Sequence, residues 1–268
     1  MTHSFGKSFT ILSLLTCLDL GCDESAGANS SQNGSFRTNN GGGQTLSSGG
    51  GMWINNMFYH PEHSGLDTAF ALASSQGLAT GHGLLLDPST RAAVRSVVEC
   101  ALPAGHSIVK EVNGEVLQFE GMLGLAPEWE DDACDEDCQE WVSACLLART
   151  NASDHAVSIW MRADHPAIGE GTSALYPTYE ASFFGNVFTE TPEMHYCQGT
   201  SEATLTQLEG RTCADESDES CGIVKHTACQ ARMRCTFSKG GDSPKNCVDG
   251  MVVNGHSYHT ITTYVGPS

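Results

Sequence analysis

DPSTRAAVRSVVECALPAGHSIVKEVNGEVLQFE, residues 87–120, reads as a helix followed directly by a β-hairpin. Asp87 and Pro88 have the character of an N-cap and a first helical position. Val94, Val97, Val98 and Ala101 then recur at i, i+3, i+4 and i+7, the stripe of an amphipathic helix. Pro103 and Gly105 end it. Asn113-Gly114 sits between two β-prone runs, the strongest short hairpin signal. A two-residue turn there places Val112 opposite Glu115, Lys110 opposite Leu117 and Ile108 opposite Phe119. Ile108, Leu117 and Phe119 then share the buried face.

The same two periodicities recur downstream. CDEDCQEWVSACLLAR (134–149) reads as a second helix, with Cys138, Trp141, Val142 and Cys145 on one face and Cys134 one turn earlier. Asp135, Glu136 and Asp137 suit its positive end, and Arg149 suits the other. HAVSIWMR (155–162) alternates as a half-buried strand, with Val157, Ile159 and Met161 inward. YEASFFGNVF (179–188) is a further strand, in which Gly185 signals a bulge or a close backbone approach. MVVNGHSYHTITTYV (251–265) reads as a second Asn-Gly hairpin. The expected class is α+β: a mainly antiparallel sheet, two packed helices and a disulfide-rich C-terminal portion, in one domain spanning 52–268.

Residues 1–21 read as a signal peptide, with Lys7 ahead of the apolar run FTILSLLTCL (9–18). That run is too short for a spanning helix. Two processing sites compete. Leu20-Gly21-Cys22 resembles a lipoprotein box that would leave Cys22 acylated, although Asp19 stands where an aliphatic residue is usual. Ala26-Gly27-Ala28 is an ordinary cleavage pattern that would release the chain. The lipoprotein reading is favoured, because residues 22–51 are rich in Gly, Ser and Asn. Such a stretch has little apolar surface to bury and reads as a flexible tether.

Setting aside Cys17 and Cys22 leaves ten of the 12 cysteines: Cys100, Cys134, Cys138, Cys145, Cys197, Cys213, Cys221, Cys229, Cys235 and Cys247. An even number in an exported chain points to disulfides. No Cys-x-x-Cys occurs, which argues against a zinc ribbon or a thioredoxin-like site. A division into the first four and the last six is compatible with the spacing, but connectivity cannot be read from it.

With 13 Lys plus Arg against 32 Asp plus Glu, the net charge is -19. That excludes a general basic surface for nucleic acid and argues against docking on an anionic membrane. The membrane is met only through the N-terminal lipid. No nucleophile elbow, His-Glu-x-x-His or P-loop is present, and nothing calls for a cofactor. His60, His63 and His82 are the alternative zinc set, in a protein otherwise expected to hold no metal. His256 and His259, if on one strand, point to opposite faces and do not share an ion. Glu130, Asp131, Asp132, Asp135, Glu136 and Asp137 lack a calcium-loop pattern and read as a solvated helix start. Cys138 has the helix-start position of a reactive thiol, but its acidic neighbours oppose a thiolate. Trp129, Trp141, Trp160, Phe183, Phe184 and Phe188 read as core.

GLAPEW (124–129), WVSACLLARTNA (141–152) and FFGNVF (183–188) resemble segments of uncharacterised, cysteine-rich exported (lipo)proteins of myxobacterium-type bacteria. The resemblance covers roughly residues 90–250 and implies export, with no catalytic residue to carry over. The expected function is an exported, lipid-anchored binding or structural protein of the cell envelope, outer membrane or surface, with a protein or carbohydrate ligand. The rival class is an exported hydrolase, metal-dependent through histidines.

Overall fold

A computed structural model describes residues 37–39, 43–48, 58, 60–152, 156–199, 208, 211–212, 222–231, 234–237, 243–249 and 255–267. The fold is α+β. In chain order its elements are β1 (Arg37–Asn39), β2 (Gly43–Ser48), α1 (Pro61–Ser64), α2 (Arg91–Ala101), β3 (Ser107–Val112) and β4 (Glu115–Glu120). They continue with α3 (Glu136–Arg149), β5 (Val157–Arg162), β6 (Thr178–Asn186), β7 (Glu193–Gln198), β8 (Val224–Ala228), β9 (Cys235–Phe237), β10 (Pro244–Val248), β11 (Ser257–His259) and β12 (Ile261–Val265). Seven strands form the main sheet in the order β1-β2-β5-β12-β6-β7-β8, antiparallel except for the β7–β8 pair. A three-stranded sheet, β11-β10-β9, and the hairpin β3–β4 complete the described strands.

Helix α3 lies on β6 and β12, α2 lies on α3, and the hairpin lies on α2. Being covered on both sides, α3 is buried at every position from Cys138 to Arg149 except half-buried Gln139. A helix enclosed this way is apolar all round rather than striped, which explains its Ala-Cys-Leu-Leu-Ala stretch. The α2 stripe is buried as expected, but the helix begins at Arg91 rather than Pro88. Asp87 is engaged in a local turn, its Oδ1 accepting from Ser89 N at 2.9 Å and Ser89 Oγ at 2.8 Å. The β3–β4 register is the expected one, with Ile108 opposite Phe119, and buried Lys110 reaches across to donate to Ala73 O and Ser74 O.

Strand β5 is more enclosed than its alternation suggests. Trp160 and Arg162 are buried along with Val157, Ile159 and Met161. Trp160 Nε1 donates to Gly171 O and Arg162 Nε to Glu170 O, so the following segment covers the outer face. Gly185 marks a close approach: at φ 137° its Cβ would lie 2.0 Å from Glu193 O.

Two expectations are corrected. Residues 37–39 and 43–48, read as tether, form strands, and β2 pairs antiparallel with β5 from Gln44–Met161 to Ser48–Val157. Backbone pairing with an open strand edge does not require an apolar sequence. The main sheet therefore takes in residues before 52, from Arg37 on. Ser257–His259 pairs with β10, where Val248 faces Ser257, and the first strand of the expected Asn254-Gly255 hairpin lies outside the described residues. Cys247 is thereby held between Cys235 on one side and Tyr258 on the other. Met251–Asn254, like residues 1–36 with Cys17 and Cys22, lie outside the described residues.

Among the described residues four cystines are present: Cys100–Cys145, Cys134–Cys138, Cys197–Cys229 and Cys235–Cys247. The first two stay within the first four cysteines, and the last two within the C-terminal group. Cys213 and Cys221 fall outside the described residues. The first bridge pins α2 to α3, and the second closes the first turn of α3. The last two sit in a second core with Phe184 and Tyr258, between the main and small sheets.

Candidate functional site

Alternation along β6 and β7 sends their side chains to two different cores. Phe183 and Tyr196 pack in the core that holds α3, while Phe184 and Cys197 pack in the cystine core. His195 pairs with Phe184 across the strands and stacks on it at 5.4 Å. His226 on β8 lies over the same ring at 5.8 Å, with its Nε2 3.2 Å from His195 Nδ1. Tyr258 of β11 closes this stack, 6.1 Å from His195.

Beside it a cavity of about 340 Å³ is lined by Glu136, Asn186, Thr189, Glu190, Thr191, Glu193, Asp249, His256 and Tyr258. Four carboxylates face one imidazole there. Burial and the neighbouring Asp249 raise the Glu193 carboxyl above its usual range. Asp249 Oδ1 is itself buried with no hydrogen-bond partner among the described residues. Glu193 and Asp249 are half-buried, while Glu136 and Glu190 stand exposed at the rim.

One wall is the start of α3. Asp135 caps the helix, accepting from Cys138 N at 3.0 Å, and the Cys134–Cys138 bridge closes around Asp135, Glu136 and Asp137. Glu136 and Glu140 are four residues apart and share a helix face. Glu140 is 4 % exposed, and both its oxygens are used: Oε2 accepts from His259 N at 3.0 Å, and Oε1 meets His256 Nε2 at 2.6 Å. Glu136 Oε1 lies 3.7 Å from the same His256 nitrogen. The hydrogen bond to Glu140 raises the His256 pKa. His259 turns elsewhere, its Nε2 2.5 Å from Asp137 Oδ1 and its ring stacked on Trp141 at 4.4 Å.

The expected separation of His256 and His259 holds for their rings, for a different reason. His256 precedes β11, so strand alternation does not govern it, and the pair is joined instead through Glu140. The acidic run is only partly a solvated helix start, since Glu136 and Asp137 meet histidines and Glu130 meets His106 Nδ1 at 2.5 Å. Cys138 is bridged. His60, His63 and His82 do not form a set. His60 Nδ1 is on Glu62 at 2.8 Å, the His60 and His63 rings sit edge to face at 5.5 Å, and His82, which lines a cavity with Pro61, Glu62 and Gly65, completes no three-ligand cluster with them. Among the described residues, the histidine-containing group whose ligand atoms lie within 4.8 Å of one another is Glu136, Glu140 and His256. Sequence reading missed Glu140, Glu193, His195, His226 and Asp249. The one available signal was the i, i+4 spacing of Glu136 and Glu140.

Burial, then Arg234 and His195, hold the His226 pKa down to about 4, with Asp249 opposing. Between 6.5 and about 4 the unfolded chain binds a proton that the folded chain refuses. Stability is therefore complete above the ordinary imidazole value and falls as the pH drops toward 4. His226→Gln is expected to flatten this loss, leaving the part due to His195, whose pKa burial also lowers. Urea midpoints at about pH 7 and about pH 5 read it, and equal slopes in both proteins would contradict the assignment.

Comparison of the chain with protein-family models, curated protein sequences and solved structures finds no match.

Proposed function

We propose that this is an exported, lipid-anchored, disulfide-stabilised binding protein of the cell envelope, and that its ligand presents a cationic group to the acidic cavity. The cavity carries this reading. Its Glu136, Glu190, Glu193 and Asp249 surround a volume of about 340 Å³. Carboxylates gathered around one recess repel one another, and a bound cation relieves that repulsion. Export is supported by the cystines, which persist in oxidising compartments, and by the charged-then-apolar pattern ahead of Cys22. The hydrolase reading finds no support in its His60, His63 and His82 form.

The test is titration of the oxidised protein with a tri-arginine peptide at low and high salt. Binding is expected to weaken with salt. It should also fall by about tenfold, roughly 1.4 kcal/mol, in Glu193→Gln and in Asp249→Asn. Equal affinity in wild type and both variants would remove the cavity from the reading. The anchor is tested separately, since Cys22→Ser should lose membrane partitioning. A fully membrane-bound variant would dismiss lipidation.

A further inference from the structure

We infer that Glu136, Glu140 and His256 form a binding site for one divalent transition-metal ion of the zinc type at the mouth of the acidic cavity. This inference rests on the reading of that cavity as a cation site and names the ion's class.

The geometry comes close to what such an ion needs. Zinc holds nitrogen and carboxylate ligands at about 2.0–2.1 Å, so tetrahedral ligand atoms stand about 3.3 Å apart. His256 Nε2 is 2.6 Å from Glu140 Oε1 and 3.7 Å from Glu136 Oε1, and all three atoms lie within 4.8 Å of one another. The shorter distance must open by about 0.7 Å and the longer close by about 0.4 Å, and rotation of the Glu136 side chain closes the remaining Glu136–Glu140 gap, which is at most 4.8 Å.

Two of the ligands are already oriented by the fold. Glu140 is buried, and His259 N–H holds its Oε2, which turns Oε1 toward His256. A partner of this kind on the outer oxygen fixes a ligand's direction. The His256 ring rests against Tyr258 at 4.4 Å. Glu136 completes the set from a helical turn that the Cys134–Cys138 bridge closes, and its side chain is 75 % exposed, so it can rotate onto an ion. Glu136, His256 and Tyr258 also line the cavity, so a fourth position opens toward that space and not into packed protein. Three protein ligands with one open position describe an accessible site rather than a closed structural one.

The donor set decides between ions. One imidazole with two carboxylates suits zinc, cobalt or nickel, whereas calcium and magnesium take oxygen ligands in larger numbers. The positive end of the α3 dipole works against a cation there, and the carboxylate ligands must outweigh it. Asp137 adds further negative charge, 2.5 Å from His259 Nε2.

Equilibrium dialysis of the oxidised protein with zinc alone, read by elemental analysis, tests the site. One ion per chain is expected, undisturbed by excess calcium. Affinity should fall by more than about tenfold in His256→Ala and in Glu136→Gln, since even outer partners of metal ligands are worth that much. Both side chains are exposed enough for the variants to fold, and circular dichroism checks this. Cobalt should give visible absorption bands that disappear in His256→Ala. Absence of stoichiometric zinc in the wild type, or wild-type affinity in both variants, overturns the site. If zinc fails while tri-arginine binding stays sensitive to Glu193→Gln, the metal is wrong and the cation cavity stands. If both fail, the cavity reading falls with it.

Discussion

Arg211→Met is expected to destabilise the protein by about 3–5 kcal/mol, because it strands a buried carboxylate. Arg211 and Glu180 have side chains that are each 1 % exposed. The guanidinium engages Glu180 through two parallel bonds, Nε to Oε1 at 3.0 Å and Nη2 to Oε2 at 2.7 Å. Its Nη1 donates to Ala148 O at 2.9 Å and Thr150 O at 2.8 Å, satisfying carbonyls at the end of α3. Thr263 Oγ1 donates to the same carboxylate at 2.7 Å, which ties in β12. Removing the arginine leaves the Glu180 carboxyl desolvated and, among the described residues, with one side-chain donor, Thr263. Pairing it with Glu180→Leu is expected to recover part of the loss, since the uncompensated charge goes too. Recovery should be incomplete, because the α3 carbonyls still lack their donor. Urea unfolding of both variants reads the difference. A loss below about 1 kcal/mol in the single variant would show that the carboxylate finds water or another partner.

The second large effect concerns Cys100–Cys145, whose positions are 45 residues apart. In the chain-entropy account, a loop of that size restricts the unfolded ensemble by about 4 kcal/mol at 25 °C. The four-residue spacing of Cys134 and Cys138 gives only about 2 kcal/mol. Both sulfurs of the longer bridge are fully buried between α2 and α3, so Cys100→Ala/Cys145→Ala also leaves packing voids. The ion pair of Arg149 with Glu99 joins the same two helices, so their docking does not rest on the bridge alone. The double variant is therefore expected to fold and to unfold at much lower denaturant than Cys134→Ala/Cys138→Ala. The opposite order would mean that loop entropy does not govern these bridges.

Other parts of the molecule are legible in the amino-acid sequence. The Asn113-Gly114 turn fixes its hairpin pairing residue by residue, because a two-residue loop leaves one register. The Val94, Val97, Val98 and Ala101 stripe identifies the buried face of α2, although the Asp87 turn moves the helix start. The enclosed character of α3 is not visible there. Its burial depends on having a sheet on one side and a helix on the other. Nor is the pairing of β2 with β5, which brings a polar sequence into the sheet.

By itself, the sequence determined those features whose information lies within a few residues: helical and strand periods, tight turns, the acidic start of α3 and the number of cysteines available to pair. Only the tertiary structure decided which cysteines meet and what the acidic helix start faces. Glu140 and His256 are 116 residues apart, and His195 and His226 are 31 apart. Neither pair leaves a local pattern. Their meeting is set by β11 folding back beside α3 and by β8 lying parallel to β7, and these are properties of packing rather than of spacing.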